Sequence, residues 1–127
     1  MEKMLIVGLG SIGRRHTGQF MKYFDQIDIV DINPERILQA EKEYKINKSF
    51  NDYKDALNNN NYDAVAITAP PHLHLPIAKL AASKKVNLFI EKPLGMNTDG
   101  WKEVKELSEK NNLIVYVAYC HRHIKYS

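Results

Sequence analysis

Gly8-Leu9-Gly10-Ser11-Ile12-Gly13 follows directly on the apolar run Met4-Leu5-Ile6-Val7, and it leads into residues spaced as a helix face, Ile12, His16, Phe20 and Phe24. A buried strand, a glycine turn and a helix N-terminus present backbone N–H groups and the positive end of a helix dipole to a phosphate. Gly8 permits the tight turn, Gly10 lets the backbone approach a pyrophosphate, and Gly13 allows helix and strand to pack closely. Ser11 and Ile12, inside the turn, are ligand-contact candidates with them. Asp31 ends the next apolar run, Ile27, Ile29 and Val30. A carboxylate there can accept hydrogen bonds from both hydroxyls of an adenosine ribose and repel a 2′-phosphate. Arg36 stands one helical turn further on, within reach of such a phosphate. The pattern points to NAD, with NADP the less favoured cofactor. The bland alternative is a glycine-rich turn that binds nothing.

A second chemical cluster is Glu91-Lys92-Pro93, at the end of the apolar run Val86 to Ile90. An ammonium beside a bound nicotinamide ribose can orient the cofactor or polarise a substrate hydroxyl, and desolvation would lower its pKa toward proton transfer. Lys92 is therefore the candidate catalytic residue, against the alternative of a surface lysine at a loop start. Pro93 restricts Lys92 to extended backbone and is a site where a cis bond is tolerated. Thr68-Ala69-Pro70-Pro71 closes a further apolar run, and His72 and His74 follow it. His16, on an apolar helix face, reads as a packed residue. Cys120-His121-Arg122-His123 puts several ligand types in four residues, which cannot easily converge on one tetrahedral ion; no metal site is expected.

The elements that must position these residues alternate. Strands are expected at Met4–Val7, Ile27–Val30, weakly at Lys48–Phe50, then at Ala64–Thr68, Val86–Ile90 and Leu113–Ala118. Helices lie between them: one capped by Asn33 with Pro34 at its first position, a short one that Asn51 could cap, one through Leu73, Ile77, Leu80 and Ala81, and one through Trp101, Val104 and Leu107. Short strands alternating with helices require crossovers, hence a parallel sheet covered on both faces. Six strands with the glycine turn after the first predict an α/β, doubly wound Rossmann domain of strand order 3-2-1-4-5-6 over residues 1–127, with a tail from about residue 119. Ligands of such sheets bind beyond the carboxyl ends of the strands, where the glycine turn, Asp31, Thr68-Ala69-Pro70-Pro71 and Glu91-Lys92-Pro93 all fall.

The 127 residues are 44% hydrophobic and 26% charged, with a net charge of +3. These are ordinary values for one soluble domain. No basic block or stripe suggests nucleic acid, and no apolar stretch is long enough to cross a membrane or serve as a signal peptide core. The single cysteine fits a reducing, cytoplasmic compartment.

The glycine motif with His16, then Asp31, Ala69-Pro70-Pro71-His72-Leu73-His74, Glu91-Lys92-Pro93-Leu94 and the tail Tyr119 to Arg122 make the chain resemble the N-terminal domain of the Gfo/Idh/MocA oxidoreductases. The glycines are shared with many families, whereas the proline–histidine loop with the Glu-Lys-Pro motif is far more specific. The resemblance implies an NAD-dependent dehydrogenase of sugars or polyols. It adds Thr68, Ala69, Pro70, His74 and Glu91 to the cofactor contacts, and assigns Lys92 to placing nicotinamide and substrate. It also implies a second α/β domain carrying most substrate contacts and a proton-transferring histidine. That domain is absent from this sequence, so the 127 residues are expected to bind cofactor without turnover by themselves. Assembly as a homo-oligomer is compatible with the family. A competing reading is a nucleotide-sensing regulatory Rossmann module without catalysis, for which a lysine aimed at nicotinamide has no use.

Overall fold

Every residue of Met4-Leu5-Ile6-Val7 is buried, and successive side chains enter different cores, so the first strand is covered on both faces. The computed structural model describes residues 2–10, 17–68, 71–91, 101–119 and 122–126. Its strands are β1 (Lys3–Val7), β2 (Gln26–Val30), β3 (Ser49–Phe50), β4 (Ala64–Ile67), β5 (Asn87–Glu91), β6 (Val115–Tyr119) and β7 (Arg122–Tyr126). They form one sheet in the order β3-β2-β1-β4-β5-β6-β7. The first six are parallel and follow the expected 3-2-1-4-5-6 order, while β7 runs antiparallel against β6. Residues 122–126 thus pair as an edge strand where the sequence suggested only a tail. Their register sets Ala118 opposite His123 and Tyr119 opposite Arg122.

The helices are α1 (Pro34–Glu43), α2 (Tyr53–Asn59), α3 (Pro71–Ser83) and α4 (Trp101–Lys110), and residues 17–20 are also helical. Asn33 caps α1, its side chain accepting from the Glu35 N–H at 2.9 Å, with Pro34 beginning the helix as expected. The cap of α2 is Asp52 rather than Asn51: its carboxylate accepts from the Lys54 N–H at 2.8 Å. Both are good capping residues, and the helix starts one position later than the sequence alone indicated.

The two cores follow strand parity. Leu5, Val7, Val30, Val65, Ile67, Leu88 and Ile90 pack with Ala56 and Leu57 of α2, Ile77 and Ala81 of α3, and Val104 of α4. Met4, Ile6, Ile27, Ile29 and Ala66 meet Ala40 and Ile37 of α1, together with Phe20, Met21 and Phe24. Helices on both faces leave the strand ends as the open edges, where backbone groups and side chains can meet a ligand.

One polar group interrupts the first core. Asp28 of β2 is buried and accepts from the Tyr62 hydroxyl at 2.5 Å, from Asn47 Nδ2 at 3.0 Å and from the Lys48 N–H at 3.1 Å. Burial, then the hydrogen bond to Asp28 and its negative charge, hold the Tyr62 phenol well above its ordinary pKa. The neutral phenol is thus the form that the fold favours. That contribution is present below the unfolded-state value of about 10 and is lost as pH rises beyond it. Tyr62→Phe removes one donor from a buried carboxylate and is expected to cost about 1–3 kcal/mol in urea denaturation at pH 7. The gap between the two proteins should narrow above about pH 10; a gap unchanged through pH 11 would contradict this role.

Candidate functional site

The strand register places the sequence's candidates in one row. Val7 pairs with Val30 on one side and Ile67 on the other, and Ile67 pairs with Ile90. The next residues, Asp31, Gly8, Thr68 and Glu91, therefore stand side by side across β2, β1, β4 and β5. With neighbouring strands about 4.8 Å apart, the row spans about 14 Å of the carboxyl edge. Asp31 marks one end and the Glu91 backbone, which leads to Lys92, the other.

Gly8 leaves β1 at φ 97°, in the left-handed region that favours glycine. Its N–H donates to the Val30 carbonyl at 2.8 Å, which ties the turn to β2. Thr68 ties it to β4. The Thr68 N–H donates to the Val7 carbonyl at 2.9 Å, and Oγ1 lies 2.6 Å from the Gly8 carbonyl and 3.1 Å from that of Val7. The single hydroxyl proton is thus engaged by main chain, and Thr68 shapes the turn while offering a ligand only lone pairs. A Cβ built on Gly10 would meet nothing within 4 Å. The space in front of its backbone is open, as a closely approaching pyrophosphate requires, and glycine is not needed there by the fold itself.

Asp31 is buried, with only 6% of its surface exposed. Its Oδ2 accepts from the Leu9 N–H at 2.7 Å, and its Oδ1 accepts from the Asn33 N–H at 2.8 Å. The carboxylate thereby joins the glycine turn to the loop entering α1. An ionised carboxylate has about four acceptor positions, so capacity remains for ribose hydroxyls. Arg36 Nη1 lies 3.8 Å from Oδ2, with its side chain half exposed. The Asn33 N–H lies two residues beyond Asp31 and closes a local Asx-type turn, whereas the Leu9 N–H comes from 22 positions away and has no local sequence signal.

His74 is buried in α3 on the same helical face as Ile77, Ala78 and Ala81, whereas His72 is exposed. Ser11, Ile12, Gly13 and His16, Ala69 and Pro70, Lys92 and Pro93, and Cys120 and His121 lie outside the described residues. Among the described residues no group of three His, Cys, Asp or Glu side chains could hold a metal ion, and no helix is long and apolar enough to cross a membrane. A groove of about 260 Å³ lined by Leu57, Asn58, Asn60, Asn61, Tyr62, Lys84 and Val86 lies at the opposite, amino edge of the sheet.

A doubly wound sheet with a glycine turn after β1 and a buried acid after β2 defines a dinucleotide-binding Rossmann domain. The family of oxidoreductases with an NAD-binding Rossmann fold, Gfo/Idh/MocA, matches residues 3–119, and this chain belongs to it. It is 31% identical over 125 residues to the inositol 2-dehydrogenase of Salmonella typhimurium, covering 94% of this chain and 37% of that protein. It is 26% identical over 117 residues to the UDP-N-acetylglucosamine 3-dehydrogenase of Acidithiobacillus ferrooxidans, covering 92% and 36%. Among solved structures, scyllo-inositol dehydrogenase from Lactobacillus casei with bound NAD(H) and scyllo-inositol shares the fold at a TM-score of 0.81 and 24% identity, over 93% of this chain and 36% of that one. The chain therefore spans a little over a third of the length of these relatives.

Replacing Thr68 by valine removes the hydroxyl that restrains the Gly8 carbonyl and should destabilise the fold by about 1 kcal/mol. Thr68→Ser should recover most of that loss. Equal midpoints for Thr68→Val and the native chain in urea denaturation would show that the turn is not held this way.

Proposed function

We propose that this chain binds NAD along the carboxyl edge of its sheet and serves as the cofactor-holding part of a dehydrogenase acting on a polyol or sugar alcohol. The observation that carries the reading is the row Asp31, Gly8, Thr68, Glu91, with open space before Gly10. Asp31 would accept from the adenosine ribose, and the Gly8–Gly13 turn, including Ser11 and Ile12, would receive the pyrophosphate. Ile32, directly after Asp31 and 84% exposed, offers an apolar surface of the kind an adenine ring covers. Ala69, Pro70 and His74 follow β4 in the sequence and would join the site from that side. Glu91 and Lys92 would complete the site at the nicotinamide end, with Lys92 orienting a substrate hydroxyl. NAD supplies the hydride acceptor; the residues here bind, orient and hold charge around it. The polyol class is supported by the inositol and sugar-nucleotide dehydrogenases among its relatives. A cytoplasmic location agrees with the single cysteine.

Calorimetry with NADH should find one site per chain, and Gly10→Val should weaken it about tenfold or more while leaving the melting temperature unchanged. The separation of the two effects follows from the open space at Gly10. Equal affinity in native and Gly10→Val proteins would reject the site. Native protein should also prefer NADH to NADPH, since the Asp31 carboxylate repels a 2′-phosphate; equal affinities would reject that assignment. In the protein that carries this chain, Lys92→Ala should depress NADH formation from a polyol panel far more than it weakens NADH binding.

A further inference from the structure

The groove at the amino edge joins an apolar floor to a polar rim. Its volume of about 260 Å³ lies at the small end for ligand pockets. Leu57 and Val86 are buried and supply the floor, and Tyr62, its hydroxyl committed to Asp28, adds only ring and main chain. The rim carries the side-chain amides of Asn58, Asn60 and Asn61 and the Lys84 ammonium. Asn60 is already engaged, donating to the Ala56 carbonyl at 3.1 Å and accepting from Lys48 Nζ at 3.5 Å. Among the described residues, the side chains of Asn58, Asn61 and Lys84 make no hydrogen bond or ion pair.

The C-terminal ends of α2 and α3 point at this edge, and bare carbonyls there would repel an anion. They are not bare. The Asp55 and Ala56 carbonyls accept from the Asn59 and Asn60 amides at 2.9 and 3.1 Å. In α3 the Leu80 carbonyl accepts from the Ser83 hydroxyl at 2.6 Å. The Ala81 carbonyl accepts from the Val86 N–H at 3.0 Å, and that of Ala82 from the Lys85 N–H at 3.1 Å. The Lys84 ammonium is therefore not used in capping α3. Two further ammoniums lie close by, Lys48 on Asn60 and Lys3, 5.7 Å from the Tyr62 ring centroid. Of the carboxylates at this edge, Asp28 is buried among its three donors and Asp63 accepts from the Lys3 N–H at 2.7 Å. The rim is left positive.

These groups select a ligand by type. A side-chain amide both donates and accepts, as a hydroxyl does, so amides at one rim suit a compound with neighbouring hydroxyls. A sugar or cyclic polyol also has a C–H face that can cover Leu57 and Val86. The ammonium calls for an anionic substituent, to which it gives a charge-assisted hydrogen bond. We propose that the groove binds a small anionic polyol, a sugar acid or sugar phosphate, at a site separate from the row at the carboxyl edge. Six steps along the chain from Tyr62 to Thr68, through β4, put about 20 Å between the two. A compound held here touches no group of the row; it is bound, not transformed.

NMR titration of the chain with glucose 6-phosphate, and separately with glucuronate, reads the Asn58 and Asn61 side-chain amide signals directly, and calorimetry gives the affinities. At least one compound should bind with a Kd of about 1 mM or tighter. It should shift those signals and the Lys84 and Val86 N–H, and leave Gly8, Leu9 and Asp31 unmoved. The tighter of the two identifies the anionic group. Glucose and inorganic phosphate should each bind about tenfold or more weakly than the tighter compound. Lys84→Gln and Asn61→Ala should each weaken it about tenfold at unchanged melting temperature, because both side chains are exposed. Lys85→Gln, one position on and outside the groove, should bind as native protein does. Saturating NADH should leave the affinity unchanged. Several results overturn the proposal: no binding of either compound at about 10 mM, equal losses in Lys84→Gln and Lys85→Gln, inorganic phosphate binding as tightly as the tighter compound, or competition with NADH.

Discussion

The hydrogen bonds from Leu9 N–H and Asn33 N–H to the two oxygens of Asp31 are the constraint on which the rest of this site depends. A glycine turn is conformationally permissive, so its glycines alone cannot hold one shape. The carboxylate supplies what they lack, because it is buried, anchored at the end of a central strand and bonded on both oxygens by main chain. Thr68 restrains the other side of the same turn through the Gly8 carbonyl. On the proposed function, the described start of the turn, Gly8 to Gly10, is thereby shaped before a ligand arrives, which would reduce the ordering cost of binding.

That arrangement is available only because the sheet is doubly wound. β1 lies between β2 and β4, so the strand bearing the glycines has Asp31 beside it on one side and Thr68 on the other. The packing that enforces this is plain hydrophobic burial, with alternate residues of β1 committed to opposite cores. A slip by one residue in β1 would turn Leu5 and Val7 into the wrong core and move Gly8 out of the row. Fold stability and site geometry are thus the same register. The amino edge carries a different kind of polar group: Asp28, Tyr62, Asn47 and Lys48 satisfy one another, and the groove beside Tyr62 has no part in the row.

What could be read from the residues alone was what local chemistry dictates. Asn33-Pro34 announces a helix start because a cap acceptor and a preset φ act within three residues. Gly8 and Asp31 announce a ribose and pyrophosphate edge because strand ends in a parallel sheet must line up. Contacts between distant residues gave no such signal. Tyr62 and Asp28 lie 34 positions apart and meet only in the folded sheet. The engagement of the Thr68 proton by the Gly8 carbonyl, and the bond from the Leu9 N–H to Asp31, follow from the register of three strands rather than from any short motif. Asp52 took the cap expected of Asn51 because neighbouring residues with equal capping ability are separated only by where packing starts the helix.

The central claim is that cofactor binding is confined to the carboxyl edge, at the row running from Asp31 to Glu91. An amide-resolved NMR titration of the chain with NADH tests it most directly. The account predicts the largest shifts at Gly8, Leu9, Gly10, Asp31, Ile32 and Thr68, with Asn58, Asn60, Tyr62 and Lys84 at the amino edge unmoved. Shifts concentrated at the amino edge, or spread without preference over both, would contradict it.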